Sequence, residues 1–259
     1  MKINDALNRE LVKSTRDVAN SFRKLSSGKR IEKAADGPAE LAVAEKLSSE
    51  SKILKKGSEN ISYAQSAISI ADGALEQVGN IDQRLAELSA QSSNGVLSDD
   101  QRAALNQEYQ ALSQERDRIA ETTTFNDKKL LNNESSINIE TGTGDPIAVN
   151  FGSVESSATQ DISTQEGAKA ALDRVSSDIA SVSQTRAELG ASDSRLSTEQ
   201  SNIDTRVVNY EQAESRIRDV DVAEEVAALL SAKIRQQANT ALNAHTDKIT
   251  KGLVLDLLS

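Results

Sequence analysis

A handful of residues in this chain have types and spacings that could do chemistry. Ser26-Ser27-Gly28-Lys29 has the S-x-x-K spacing in which a lysine stands beside a nucleophilic serine. The companion S-D-N and K-T-G elements are missing, so the hydroxyl has neither its helpers nor its oxyanion partners. Gly28-Lys29 could close a phosphate-binding loop, but Arg23 stands where the upstream Gly belongs and Arg30 where Ser or Thr should bind the metal. His245 is the sole histidine and there is no cysteine, which excludes thiol catalysis, disulfides and Cys- or His-clustered metal sites. The acidic pairs Asp99-Asp100 and Glu224-Glu225 fall where helices start and read as caps and solvated faces. No enzyme, cofactor or metal is expected.

If the Ser-Ser-Gly-Lys-Arg loop does no chemistry, its role lies in what it joins. Before it, Leu11, Thr15, Val18, Phe22 and Leu25 alternate spacings of four and three, the pattern of a coiled-coil seam. After it, Asp36 is a plausible cap and Pro38 suits a first helical turn. From 39 to 92 the apolar residues Leu47, Leu54, Ile61, Ile68 and Leu75 recur at sevens, with Ala64, Ala71, Val78 and Leu85 beside them. At 1.5 Å per residue, roughly 54 residues would make a rod on the order of 80 Å long, so an elongated molecule is expected. Asn94-Gly95 ends this helix, and Ser98-Asp99-Asp100-Gln101 reads as a capping box for a third helix (98–122) folding back on it. Ile137, Ile139, Ile147, Val149 and Phe151 alternate around a turn-rich centre and predict a β-hairpin at about 136–152, the only strand signal. A second capping box, Ser163 to Glu166, predicts a helix over 163–217 with Ala168, Val175, Val182, Leu189, Leu196, Ile203, Tyr210 and Ile217 at sevens. Its neighbouring seam positions decay to Arg186, Asp193 and Gln200, so a narrow stripe must pack on an equally long partner, for which 39–92 is the obvious choice.

Composition agrees. Aromatic residues are 2% of the 259, with no Trp, which removes the usual anchors of a globular core. A net charge of −10 and pI near 4.8 argue against nucleic acid. No run approaches the roughly 18 apolar residues of a membrane span, and the first residues do not resemble a signal peptide. The fold class is thus mostly α: an antiparallel coiled-coil rod of helices from both chain ends with one small hairpin. It divides into 1–33 (terminal helix and joint), 34–217 (rod) and 218–259 (terminal helix and tail). Both terminal segments carry apolar stripes that the rod does not need: Leu7, Leu11, Val18, Phe22 and Leu25 at one end, Val226, Leu230, Ile234, Leu253, Leu255 and Leu258 at the other. Such surface is costly to expose and predicts an assembly partner.

Leu25-Ser26-Ser27-Gly28-Lys29-Arg30-Ile31, with Ala34, Asp36 and Ala39, resembles the N-terminal signature of bacterial flagellins. "AISIADGALEQV" (67–78), "QRLAELSAQSSNG" (83–95), "TTFNDKKLL" (123–131), "SRIRDVDVAEE" (215–225) and "QQANTALNA" (236–244) are similar to further family motifs, in the family's order. The resemblance implies a structural subunit that self-assembles into the extracellular flagellar filament, in a short form lacking variable outer domains. It also implies export through the flagellum's own channel without a cleaved signal, and partners among the cap, junction proteins, export chaperone and secretion apparatus. The termini would line an inner tube, without a partner until assembly. Ser26, Ser27, Gly28, Lys29, Arg30 and Asp36 would form a joint touching neighbouring subunits. The patch read by the innate-immune flagellin receptor would be Gln83, Arg84, Glu87, Leu88 and Gln91, degenerate because Ala86 replaces its second arginine. "DGPAE" (36–40) departs from the family pattern, and no proline precedes the final leucines. A hook–filament junction protein is the nearest alternative, and a chemoreceptor-type signalling hairpin a remoter one.

Overall fold

The computed structural model describes every residue except Met1, 133–135, Thr143, 157–159 and Ser259, and only the backbone of residues 2–4, 247, 250 and 251–258. Among the described residues, five helices and four short strands follow one another: α1 (Lys2–Ser27), α2 (Pro38–Ser92), α3 (Asp99–Thr122), β1 (Thr124–Phe125), β2 (Lys128–Lys129), β3 (Ser136–Ile139), β4 (Ile147–Asn150), α4 (Gln165–Arg218) and α5 (Val222–Leu258). They form two compact units, Lys52–Val207 and the paired ends Met1–Ser51 with Val208–Ser259.

In the Lys52–Val207 unit the sevens are the core. Leu54, Ile61, Ile68 and Leu75 of α2 and Val175, Val182, Leu189, Leu196 and Ile203 of α4 are buried. Each such side chain contributes about 1.5–3 kcal/mol of burial. Ser98 caps α3 with a complete capping box: its hydroxyl accepts from the Gln101 N–H while the Gln101 side chain accepts from the Ser98 N–H. That turn sends α3 back along α2, where Leu85, Leu88, Tyr109, Ile162, Ala168, Ala171 and Val175 close a three-helix core. The second box shifts by one residue. Thr164, not Ser163, caps α4, its hydroxyl accepting from the Gly167 N–H and its carbonyl from the Ala168 N–H.

The polar positions that interrupt the α4 stripe have a use. Arg186 pairs with Asp72 at 2.7 Å, Gln65 donates to Asp193 at 3.1 Å, and Gln200 donates to the Ser58 hydroxyl. Both helices therefore contribute one rung every seven residues, in antiparallel order. Interrupted apolarity here is a ladder.

The expected hairpin is β3 paired antiparallel with β4, Ser136 opposite Asn150 and Ile139 opposite Ile147. It lies on α2 so closely that a Cβ at Gly57 would stand 1.9 Å from the Thr141 carbonyl oxygen. It is not the only hairpin. β1 and β2 pair through Asn126 and Asp127, both at positive φ (49° and 62°), a two-residue turn that Asn and Asp tolerate. Two-residue strands are too short for a period-2 signal, so no alternation in the sequence marks them.

Substituting alanine at two glycines of α2 should give opposite results. Gly73→Ala, with open space at its Cβ, gains up to about 1 kcal/mol of helix propensity. Gly57→Ala should lose roughly 1–3 kcal/mol by pushing the hairpin off the helix. Thermal unfolding of the two variants separates them.

Candidate assembly site: the clasped joint and the helices of the two ends

Gly28 ends α1 at φ +68°, a left-handed conformation that glycine adopts without a Cβ penalty. The chain then runs antiparallel to the segment between α4 and α5. Val220 donates its N–H to the Gly28 carbonyl at 3.1 Å, Arg30 donates its N–H to the Arg218 carbonyl at 2.6 Å, and the backbones of Lys29 and Asp219 face each other between them as a single antiparallel pair. The Arg30 guanidinium donates to the Ile217 carbonyl and pairs with Glu40 at 3.5 Å. The two joints of the chain are one clasp.

Asp36, the cap expected for α2, does not cap it. Its carboxylate accepts from the backbone N–H groups of Lys33 and Glu32, closing the loop on itself, and these bonds hold its pKa below the ordinary 3.8. Pro38 is the first residue of α2, as anticipated, and the Gly37 carbonyl accepts its first helical bond. Arg23 reaches both Asp36 (3.5 Å) and Glu32 (3.2 Å). Ser26 and Ser27 are exposed, the Ser27 hydroxyl donating to the Lys24 carbonyl and accepting from the Lys29 N–H. Asp221 caps α5 by accepting from Ala223 and Glu224. Most of the charge assigned to the joint is thus spent within the chain.

The terminal segments are not without a partner: α1 packs along α5. Lys24 pairs with Glu225 at 3.4 Å, Gln236 donates to Thr15 at 3.0 Å and Asn243 to Asn8 at 3.3 Å, so the helices run antiparallel. The seam differs from the expected one. Its buried side chains are small: Ser14 (3% exposed), Ser21 (7%) and Ala232 (1%). Leu7, Leu11, Val18 and Leu25 are half-buried at its margin. Phe22 is 67% exposed, and Val12, Val226, Leu230, Ile234, Leu242 and Ile249 also face outward. Small residues let helices approach, and large ones are left over. Leu253, Leu255 and Leu258 lie in the α5 backbone, and their side chains fall outside the described residues.

The remaining candidate patch sits on α2. Gln83 and Gln91 are exposed, and Arg84 donates to Glu87 (2.9 Å) and Glu108 (2.8 and 3.0 Å). Leu88 is fully buried in the core cluster, so it offers nothing to a partner, and Ala86 is half-buried against that cluster. The described residues hold no group of side chains fit for a metal, and no described helix is long and apolar enough to cross a membrane.

Replacing Gly28 by alanine should cost about 1 kcal/mol of backbone strain alone, since its Cβ would meet nothing within 4 Å. Arg30→Ala should raise amide exchange at Val220 and Ile31 while leaving α3 unchanged. Exchange followed by mass spectrometry reads both.

Known proteins match this arrangement at both ends. The model of the bacterial flagellin N-terminal helical region matches residues 3–136, and that of the C-terminal helical region residues 172–258. A flagellin of Halalkalibacterium halodurans is 37% identical over 92% of this chain and 90% of its own length. A flagellar filament 31.3 kDa core protein of Treponema maltophilum is 31% identical over 93% and 92%. Among solved structures, Bacillus cereus flagellin superimposes with a TM-score of 0.51 at 23% identity, over 56% of this chain and 88% of that one. A Vibrio parahaemolyticus structure assigned as a flagellar hook-associated protein gives 0.60 at 13% identity, over 71% and 100%, a likeness of fold alone.

Proposed function

The chain belongs to the bacterial flagellin family, and from that premise we propose how its two ends carry out assembly. It is a structural subunit, not an enzyme, and self-assembles into the extracellular flagellar filament. The proposal is that the α1–α5 pair enters the filament already zipped along Ser14, Ser21 and Ala232. Phe22, Val12, Val226, Leu230 and Ile234 then bury against neighbouring subunits, with Leu7, Leu11, Val18 and Leu25 at the edge and Leu253, Leu255 and Leu258 in the tail. The outward display of large apolar side chains beside a seam of small ones is the observation that carries this reading. Each buried residue contributes about 1.5–3 kcal/mol, so several per subunit suffice for a stable polymer. The clasp at Ser26 to Arg30 and Asp36 holds the pair at a set angle of entry. Until assembly the same surface needs shielding, which an export chaperone would supply on the way through the flagellar secretion apparatus to the cap and junction proteins.

We also propose that recognition by the innate-immune flagellin receptor is weak. Gln83, Arg84, Glu87 and Gln91 are presented, but Ala86 offers no guanidinium and Leu88 is interior. Arginine is a frequent hot-spot residue, and its planar fork is not replaced by neighbours.

Removing residues 242–259 should abolish seeded filament growth under the electron microscope while most helical circular dichroism remains. Filaments from the truncated chain would sink the assembly reading. Ala86→Arg should raise receptor-reporter signalling, and an unchanged signal would sink the second proposal.

A further inference from the structure

Where α2, α3 and α4 meet, the Lys52–Val207 unit buries charge. Arg116 of α3 is its largest fully buried side chain. Its Nε donates to Asp82 Oδ1 of α2 at 2.6 Å, its Nη2 stands 3.4 Å from Asp178 Oδ2 of α4, and its Nη1 donates to the Glu155 carbonyl. The other charged groups facing the site are Asp117 of α3, 3.8 Å from Arg116, and Arg174 of α4, which pairs with Asp178 (3.2 Å) and with the Glu155 carboxylate. Tyr109 of α3, with Ser89 of α2 beside it, also faces the cluster, and both are buried. Among the described residues, the buried Asp82 Oδ2, Asp178 Oδ2 and Tyr109 hydroxyl have no hydrogen-bond partner, Asp178 Oδ2 having only its 3.4 Å contact with Arg116. One fully buried guanidinium therefore serves carboxylates from two different helices.

We infer that this junction is a proton-operated lock: a proton retained on Asp82 neutralises one of the two carboxylates that share Arg116 and seats α3 between α2 and α4, and its loss to solvent loosens that seat. The neutral acid removes one of the two buried anions, leaving Arg116 to balance Asp178 while Asp82 Oδ1 still accepts from its Nε. The ionised form leaves two anions competing for Arg116 in a medium that solvates them poorly. Burial is the larger cause and outweighs the pull of Arg116, pushing Asp82 from 3.8 up to about 6, and burial raises Asp178 as well. A carboxyl whose folded pKa lies above its unfolded value binds its proton more tightly when folded. Its contribution to stability is full below about pH 4 and is lost as pH rises through about 6.

The test uses the full chain as monomer, with hydrogen exchange of α3 peptides at pH 5 and pH 7.5 corrected for intrinsic chemistry. Wild-type protection should fall roughly tenfold across that interval, and Asp82→Asn, which imitates the neutral acid, should abolish the fall. An equal fall in the variant would overturn the inference, because another group would then cause it, and so would a variant that loses protection at both pH values, because Asp82 would then work as a permanent anion. The infrared carbonyl band of a protonated carboxyl gives a second reading. The wild-type minus Asp82→Asn difference spectrum should carry it at pH 5 and lose it at pH 8, and no such band in that difference at pH 5 would overturn the lock independently.

Discussion

Two long helices can lie side by side only if something sets their register, and a stripe of leucines tolerates a slip of one heptad almost as well as none. In the Lys52–Val207 unit the register is set by the rungs Ser58–Gln200, Gln65–Asp193 and Asp72–Arg186. A slip by seven residues in one direction would set Asp72 against Asp193, Gln65 against Gln200 and Arg186 against Gly79, and in the other would set Arg186 against Gln65 instead of Asp72. The apolar positions supply the free energy, and the polar ones decide which of several near-equal alignments is adopted. The hairpin follows from this choice, because β3 and β4 close over α2 only where Gly57 lets the Thr141 backbone approach.

The paired ends invert that division of labour. Along α1 and α5 the small residues Ser14, Ser21 and Ala232 are inside, and the residues with most apolar surface to bury are outside. Within one chain this is wasteful. In the assembly proposed above, the outward Phe22, Leu230 and Ile234 are what one subunit offers the next. The clasp of Gly28, Lys29 and Arg30 on 217–220 keeps the two helices in phase while leaving those side chains free.

Buried charge at Arg116 belongs to the same logic of specificity. Three helices could pack on Leu85, Leu88, Tyr109 and Val175 in more than one rotation, but only one rotation delivers Asp82 and Asp178 to a single guanidinium. Such clusters contribute little net stability because desolvation offsets the Coulomb attraction. What they exclude is a set of alternative packings that would each leave a charge buried and unpaired.

Residue order alone was enough to locate the long helices, the Ser98 box, the larger hairpin and the glycine joint, because each rests on a period or a turn preference that acts within a few residues. It also carried the family, since the motifs from Leu25 to Ala244 stand in the order that flagellins share. It did not reveal that Asp36 closes its own loop, that Thr164 rather than Ser163 caps α4, or that Leu88 faces inward. Nor did it show that serines hold α1 to α5 while Phe22 stays outside. An apolar residue at a helical spacing says that some surface wants covering and leaves open which neighbour covers it. Arg116 makes the same point for charge: alone in the sequence it reads as one more solvated cation, and only the convergence of three helices, from positions 82, 116 and 178, turns it into the centre of the core. Local periodicity is written along the chain, whereas the partner of each face is a property of which distant segments meet.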